Sequence, residues 1–206
     1  MTNRKIKDKH KNDLAISMFK EAYRNILRIL LILHNLYPKQ FYPKILGDWL
    51  DKYPELCSKM DRYEKAGIYK EKIAEYSAAY GVDRQKCFEF VLKNNPSNLH
   101  RDNKKLLADN VCLVLVHTCK DFGLGEKRLE IVMKAMLISD IPEPEKDIEK
   151  LGIKVELDDI NDFDYRTLKP KKQKELTYNE IKAAYKDLEG LKAYQEYMRN
   201  SGEINE

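Results

Sequence analysis

Glycine and proline are scarce in this chain, eight and seven in 206 residues, and most stand at the ends of apolar stretches. Backbone breaks are therefore few. Cysteine is also rare: Cys57, Cys87, Cys112 and Cys119 form no CxxC pair. Each sits in an apolar helical pattern, where a free thiol behaves as a small buried hydrophobe. That spacing argues against a disulfide framework and fits a reducing cytoplasm. Long hydrophobic runs are missing too. The membrane suspect, Ile29 to Leu33, follows Lys20, Glu21, Arg24 and Arg28 and is far shorter than the ~20 residues a bilayer needs. The charged opening runs into a helical pattern without a small-residue cleavage pattern, so no signal peptide is expected.

What is present is 43% hydrophobic and 35% charged, with thirteen tyrosines, a composition that excludes wholesale disorder. The net charge of +4 is unevenly spread. Residues 1–12 carry five Lys/Arg and one Asp, residues 13–139 twenty-one against sixteen Asp/Glu, and residues 140–206 twelve against seventeen. A basic body beside an acidic segment points to nucleic-acid contact or charge-steered assembly, or simply to solvated helix faces.

The periodicity predicts a mainly α-helical fold, a multi-helix bundle with helical hairpins and at most one short strand near 153–157. Asp13 caps a helix reaching about Tyr37, whose apolar spacing broadens to nearly all faces after Ile29, so it should be central. A short helix over 44–52 follows, and Pro54 should open the next at its first turn. Further helices are expected over 68–80, from Asp83, over 102–121 and over 126–137. Pro142 and Pro144 mark the expected domain boundary, after which Gly152 to Leu157 alternates as a single strand. Thr177-x-x-Glu180 is a capping box for a last helix. The domain reading is a basic disordered tail (1–12), a helical core (13–139), an acidic linker with a short extended element (140–175) and a C-terminal helix (176–200).

Two stretches bear on function. Between Ile73 and Phe90 the residues match a helix-turn-helix unit, with Gly81 as turn glycine, Val82 after it and Ser77 as the small residue at the crossing. Tyr76, Tyr80, Cys87 and Phe90 take the packing positions. Asp83 would cap the second helix and expose Arg84, Gln85 and Lys86, residue types that read base edges and phosphates. An ordinary helical hairpin gives the same pattern.

The second stretch runs from Cys119 to Leu129. Asp121-Phe122-Gly123 spells a kinase magnesium motif, but no glycine-rich loop, lysine-bearing strand or HRD accompanies it. Gly123-x-Gly125 lacks the preceding strand of a phosphate loop. The favoured reading is a tight corner: Gly123 ends one helix in the left-handed conformation, Leu124 tucks beneath, and Gly125 or Glu126 opens the next. Lys127 and Arg128 then lie near a helix N-terminus, where an anion can sit.

Phe122-Gly123-x-Gly125-x-x-Arg128-Leu129, followed by Leu151-Gly152-Ile153, resembles small proteins of Gram-positive phages and prophages over about residues 105–160. Their usual form is Phe-Gly-Phe-Gly-basic-basic-Arg-Leu; here Leu124 replaces the second aromatic and Glu126 a basic residue. The resemblance implies a mobile-element origin and a host bacterial cytoplasm, not a particular activity.

Catalytic and metal readings lack support. Cys112, His117 and Cys119 lie on different faces of one helix and cannot all ligate one ion. The acids from Asp158 to Asp164 lack the spacing, glycine and terminal Glu of a calcium loop. No enzyme, metal or cofactor is therefore expected. The expectation is a binding protein whose partner is nucleic acid or a nucleoprotein, met by Arg84, Gln85, Lys86, Lys127 and Arg128. The alternative is an inhibitor or adaptor of a host protein, of anti-defence type. It would dock through Tyr185, Tyr194 and Tyr197, with Asp158 and Asp159 imitating nucleic-acid charge.

Overall fold

The computed structural model describes residues 3–155, with side chains from residue 13 onward except 58–62 and 64–65. Seven helices run through them: α1 (Asn3–Leu36), α2 (Pro43–Lys65), α3 (Tyr69–Ala79), α4 (Arg84–Asn94), α5 (Arg101–Phe122), α6 (Glu126–Ile138) and α7 (Pro144–Glu149). The mainly α-helical expectation holds. The expected acidic loop, the C-terminal helix and the candidates Asp158, Asp159, Tyr185, Tyr194 and Tyr197 lie outside the described residues.

The described residues fall into two compact units, 3–52 with 76–155, and 53–75. In the first, α1 packs on α5, α6 and α7, while α4 packs on α5 and α6. Ile26, Leu27 and every residue from Ile29 to Leu33 are buried, as are Val111 to Val116 of α5. A helix covered on nearly every side needs apolar residues beyond a single stripe, and that is why these two segments read as near-continuous hydrophobic runs. In the second unit Tyr53, Leu56, Tyr63 and Ile73 are buried. Lys72 is buried there as well, its ammonium 3.3 Å from Glu75.

Four boundaries differ from the sequence expectation. Residues 3–12, expected as a tail, are the first turns of α1. Lysine and arginine are good helix formers, and a helix already nucleated by the apolar residues after Asp13 extends backwards at little cost when no Gly or Pro intervenes. Pro54 does not start a helix but lies inside α2. Its missing N–H forfeits one bond, and the division between the two units falls beside it, after Lys52. Pro142 and Pro144 do not end the core, because α7 packs on α1 with Ile148 fully buried. Gly152 to Val155 form no strand. Gly152 takes φ +79, a turn conformation, and no described strand stands by to pair with them.

The helix ends follow their sequence signals. At the end of α3, Val82 N–H donates to Ser77 O (2.8 Å) across Gly81 at φ +68, a Schellman closure. The Asp83 carboxylate accepts from the N–H of Gln85 (2.9 Å) and Lys86 (3.2 Å). At the start of α5 the His100 ring accepts from the N–H of Asp102 (3.3 Å).

Two of the four thiols are buried as the sequence suggested, while Cys57 and Cys119 are half-buried. Cys87 and Cys112 are buried, and the Cys112 side chain bonded to Cys87, together with burial, holds the Cys87 thiol well above its ordinary pKa. Burial pushes Cys119 up to about 12. At pH 8 a thiol-specific disulfide reagent should therefore react with Cys87 and Cys119 only on unfolding, since the thiolate is the nucleophile, and burial shields Cys112 from it. Rapid native labelling at Cys87 or Cys112 would contradict this packing. Leu30→Ala should lower the unfolding free energy by about 2–5 kcal/mol, read by urea denaturation.

Candidate functional site

Three places in the first unit carry polar chemistry: the start of α4, the α5–α6 corner, and a buried polar cluster on α1.

At the start of α4, the Tyr76–Phe90 stretch folds as the motif required locally. Ser77, Val82, Cys87 and Phe90 are buried, and Tyr76 and Tyr80 are half-buried. The three expected readers are outward but already engaged. Arg84 donates to Asp109 (3.2 Å), Gln85 to Glu89 (2.9 Å), and Lys86 lies 3.8 Å from Asp83. The Asp83 carboxylate also occupies the amides that a phosphate would use at this helix start. The Arg84–Asp109 pair is surface-exposed, so it is worth about 0–1 kcal/mol and exchanges readily.

The corner has the expected form. Gly123 ends α5 at φ 64, ψ 35, Leu124 and Leu129 are buried, and Gly125 begins α6 without a side-chain cap. Phe122 packs against Phe41 in the turn between α1 and α2, with ring centroids 6.5 Å apart. Gln40 ties that turn to the corner: its Nε2 donates to Phe122 O (2.7 Å), and its Oε1 accepts from Arg128 (2.6 Å). The Arg128 guanidinium also stands over the Tyr37 ring at 5.7 Å, so this residue is a clamp as much as a surface cation.

Around the clamp other cations gather. Lys52 lies over Phe122 at 5.3 Å, Lys39 precedes Gln40, Lys120 lies two residues before Phe122, and Lys127 is in the first turn of α6. Lys39, Lys120 and Lys127 are exposed and have no carboxylate partner among the described residues. Glu126 is a carboxylate in the same turn, while Asp121 faces His117 at 3.5 Å. The uncapped amides of α6 add positive potential here. The structure thus brings Lys127 and Arg128 together with three lysines that sequence reasoning missed. Lys39 lies in the α1–α2 turn, Lys52 on α2 and Lys120 in the last turn of α5, and nothing in the chain order said that these places meet.

The third place was also missed. On α1, Glu21, Asn25 and Arg28 are buried on a helix whose other buried residues are apolar. Asn25 Nδ2 donates to Asn95 Oδ1 (2.9 Å), and Asn95 Nδ2 to Glu21 Oε2 (2.6 Å). Arg24 donates to Glu21 (2.8 Å) and to Glu145 of α7. The hydrogen bond that Arg24 donates to Glu145 raises the Arg24 pKa above its ordinary value. Arg28 donates to Ile141 O and Asn25 Oδ1, both at 3.1 Å. The available signal was spacing: Glu21, Arg24, Asn25 and Arg28 share one face of a helix read as covered nearly all round, and such a stripe must be satisfied from inside.

Among the described residues, no group of three or more His, Cys, Asp or Glu is placed to hold a metal, and no helix is long and apolar enough to cross a membrane. The chain matches no protein-family model, no curated protein and no solved structure.

Asn95→Ala should cost about 1–3 kcal/mol for each buried group left unpaired, Asn25 Nδ2 and Glu21 Oε2, measured by urea denaturation. A loss under half a kilocalorie, the size of an ordinary surface change, would mean the cluster is not closed as described.

Proposed function

We propose that this chain is a non-catalytic accessory protein of mobile-element type that binds nucleic acid or a nucleoprotein in a bacterial host cytoplasm. Phosphate contact is made at the α5–α6 corner. The observation that carries the reading is the set of exposed, carboxylate-free lysines, Lys39, Lys120 and Lys127, beside an uncapped helix start. The start of α4 then has a secondary part: Arg84 and Gln85 meet nucleic acid only by exchanging their own carboxylate partners.

A second reading rests on a different face. Ile131 and Ile138 stand seven residues apart on α6, 49% and 81% exposed. An outward apolar pair at that spacing suits a protein partner, as an inhibitor or adaptor would have.

Mobility shifts on duplex DNA across a salt series separate the two. Three phosphate contacts give a slope of log K against log salt near −2.7. Lys120→Ala and Lys127→Ala should each reduce its magnitude by about 1, with Arg84→Ala leaving it unchanged. Absence of binding at low salt, with Ile138→Asp abolishing a complex recovered from host lysate, would replace the nucleic-acid reading by the adaptor one.

A further inference from the structure

The polar stripe of α1 opens on one side. A cleft of about 660 Å³ lies over it, with walls from the 94–96 loop and the segment 142–149. Its floor holds Arg28, whose side chain belongs to a residue only 7% exposed. A guanidinium this deep ordinarily has a carboxylate against it, because desolvation is otherwise uncompensated. Arg28 has none. Its two hydrogen bonds go to neutral acceptors, Ile141 O and Asn25 Oδ1, and its Nη2 donates to no described group. The nearby acid is already used: Glu21 gives one oxygen to Arg24 and the other to Asn95, and Glu145 faces Arg24. Burial pushes the Arg28 pKa down, and the charges of Glu21, Glu145 and Asp140 offset only part of that shift.

We propose that this cleft binds a compact carboxylate through Arg28 Nη2. The rest of the lining sets the ligand's charge and shape. Glu21, Glu143, Glu145 and Glu149 line the same cleft, so each negative charge beyond the first is penalised, and a phosphate dianion or a nucleic-acid backbone is disfavoured. Of the other cations in the lining, Lys20 stands at the edge, Arg24 is paired with Glu21 and Glu145, and Lys146 is held by Glu143. Pro96 and Pro142 present rings without N–H groups, and Val155 adds an apolar spot. The class selected is a monocarboxylate with a short apolar body, supplied by a free organic acid or by the terminal carboxylate of a peptide. This ligand differs from the one proposed for the basic corner, and neither site needs the other.

The test uses the full chain labelled with 15N-arginine, titrated at constant ionic strength with sodium propionate, acetyl-trialanine, acetyl-trialanine amide, phosphate or chloride. The Arg28 side-chain resonances should shift saturably with propionate or with the free-acid peptide at up to about 10 mM, a range that fills even a weak small-ligand site. The amide, phosphate and chloride should leave them in place. A response to propionate identifies a free acid as sufficient; a response to the peptide acid alone identifies a chain terminus. Arg28→Lys, which keeps the charge but loses the planar fork, should weaken binding about tenfold. Should that variant not fold, the wild-type resonances decide alone. Unmoved Arg28 resonances, an equal response to phosphate or to the amide, or unchanged affinity in Arg28→Lys would each overturn the proposal.

Discussion

Much of the first unit depends on one constraint: a central helix that is apolar nearly all round also carries Glu21, Asn25 and Arg28, and these cannot be left bare. Each buried polar group without a partner costs about 1–3 kcal/mol. The chain meets that demand by bringing in distant pieces. Asn95 comes from the end of α4, and Ile141 O and Glu145 come from the segment that closes the core. An apolar contact tolerates sliding, whereas a hydrogen bond between Asn25 and Asn95 fixes register. The stripe therefore specifies where the loop after α4 and where α7 lie against α1. Its contribution is to uniqueness at least as much as to stability.

That dependence explains which parts of the fold were legible. Local signals survived into the structure almost unchanged: Asp83 caps α4, Gly81 and Gly123 close helices in the left-handed region, and the Ile29–Leu33 run is core. Such features are decided within a few residues. Prolines misled because their effect was read as local when packing decided it. Pro144 sits in the first turn of a helix that α1 holds in place, and Pro54 is absorbed by a helix already under way. Among the described residues the alternation after Gly152 meets no partner segment, and a strand is a relation between two segments.

Charge was the least legible quantity, and the reason is geometric. Composition counts every lysine and arginine as available, but several here are structural donors. Lys93 closes the end of α6 by donating to Leu137 O and Ser139 O, and Lys104 donates to Ser97 O. Arg24 and Arg28 serve the buried stripe. A basic excess in sequence therefore overstates the positive field that a partner meets, because carbonyl oxygens absorb cations without appearing in any charge count. The reverse error is equally instructive. Lys39 and Lys52 looked unremarkable because they lie some seventy to ninety residues before the corner where they gather.

The corner itself shows how a motif can be read position by position. Phe122 fills the space beside Phe41, and Gly123 supplies a positive φ that a side chain would strain. Leu124 and Leu129 enter the core, Gly125 starts α6, and Arg128 fastens the α1–α2 turn through Gln40 and Tyr37. Every fixed position of the Phe-Gly-x-Gly-x-x-Arg-Leu pattern thus has a folding task. A motif so fully occupied by packing carries information about architecture, and of its variable positions only the exposed 126 and 127 are free to meet a partner. Lys127 occupies such a variable position, exposed and without a carboxylate against it. The proposed anion contact therefore falls on Lys127 and its neighbouring lysines, and not on the fixed positions of the pattern.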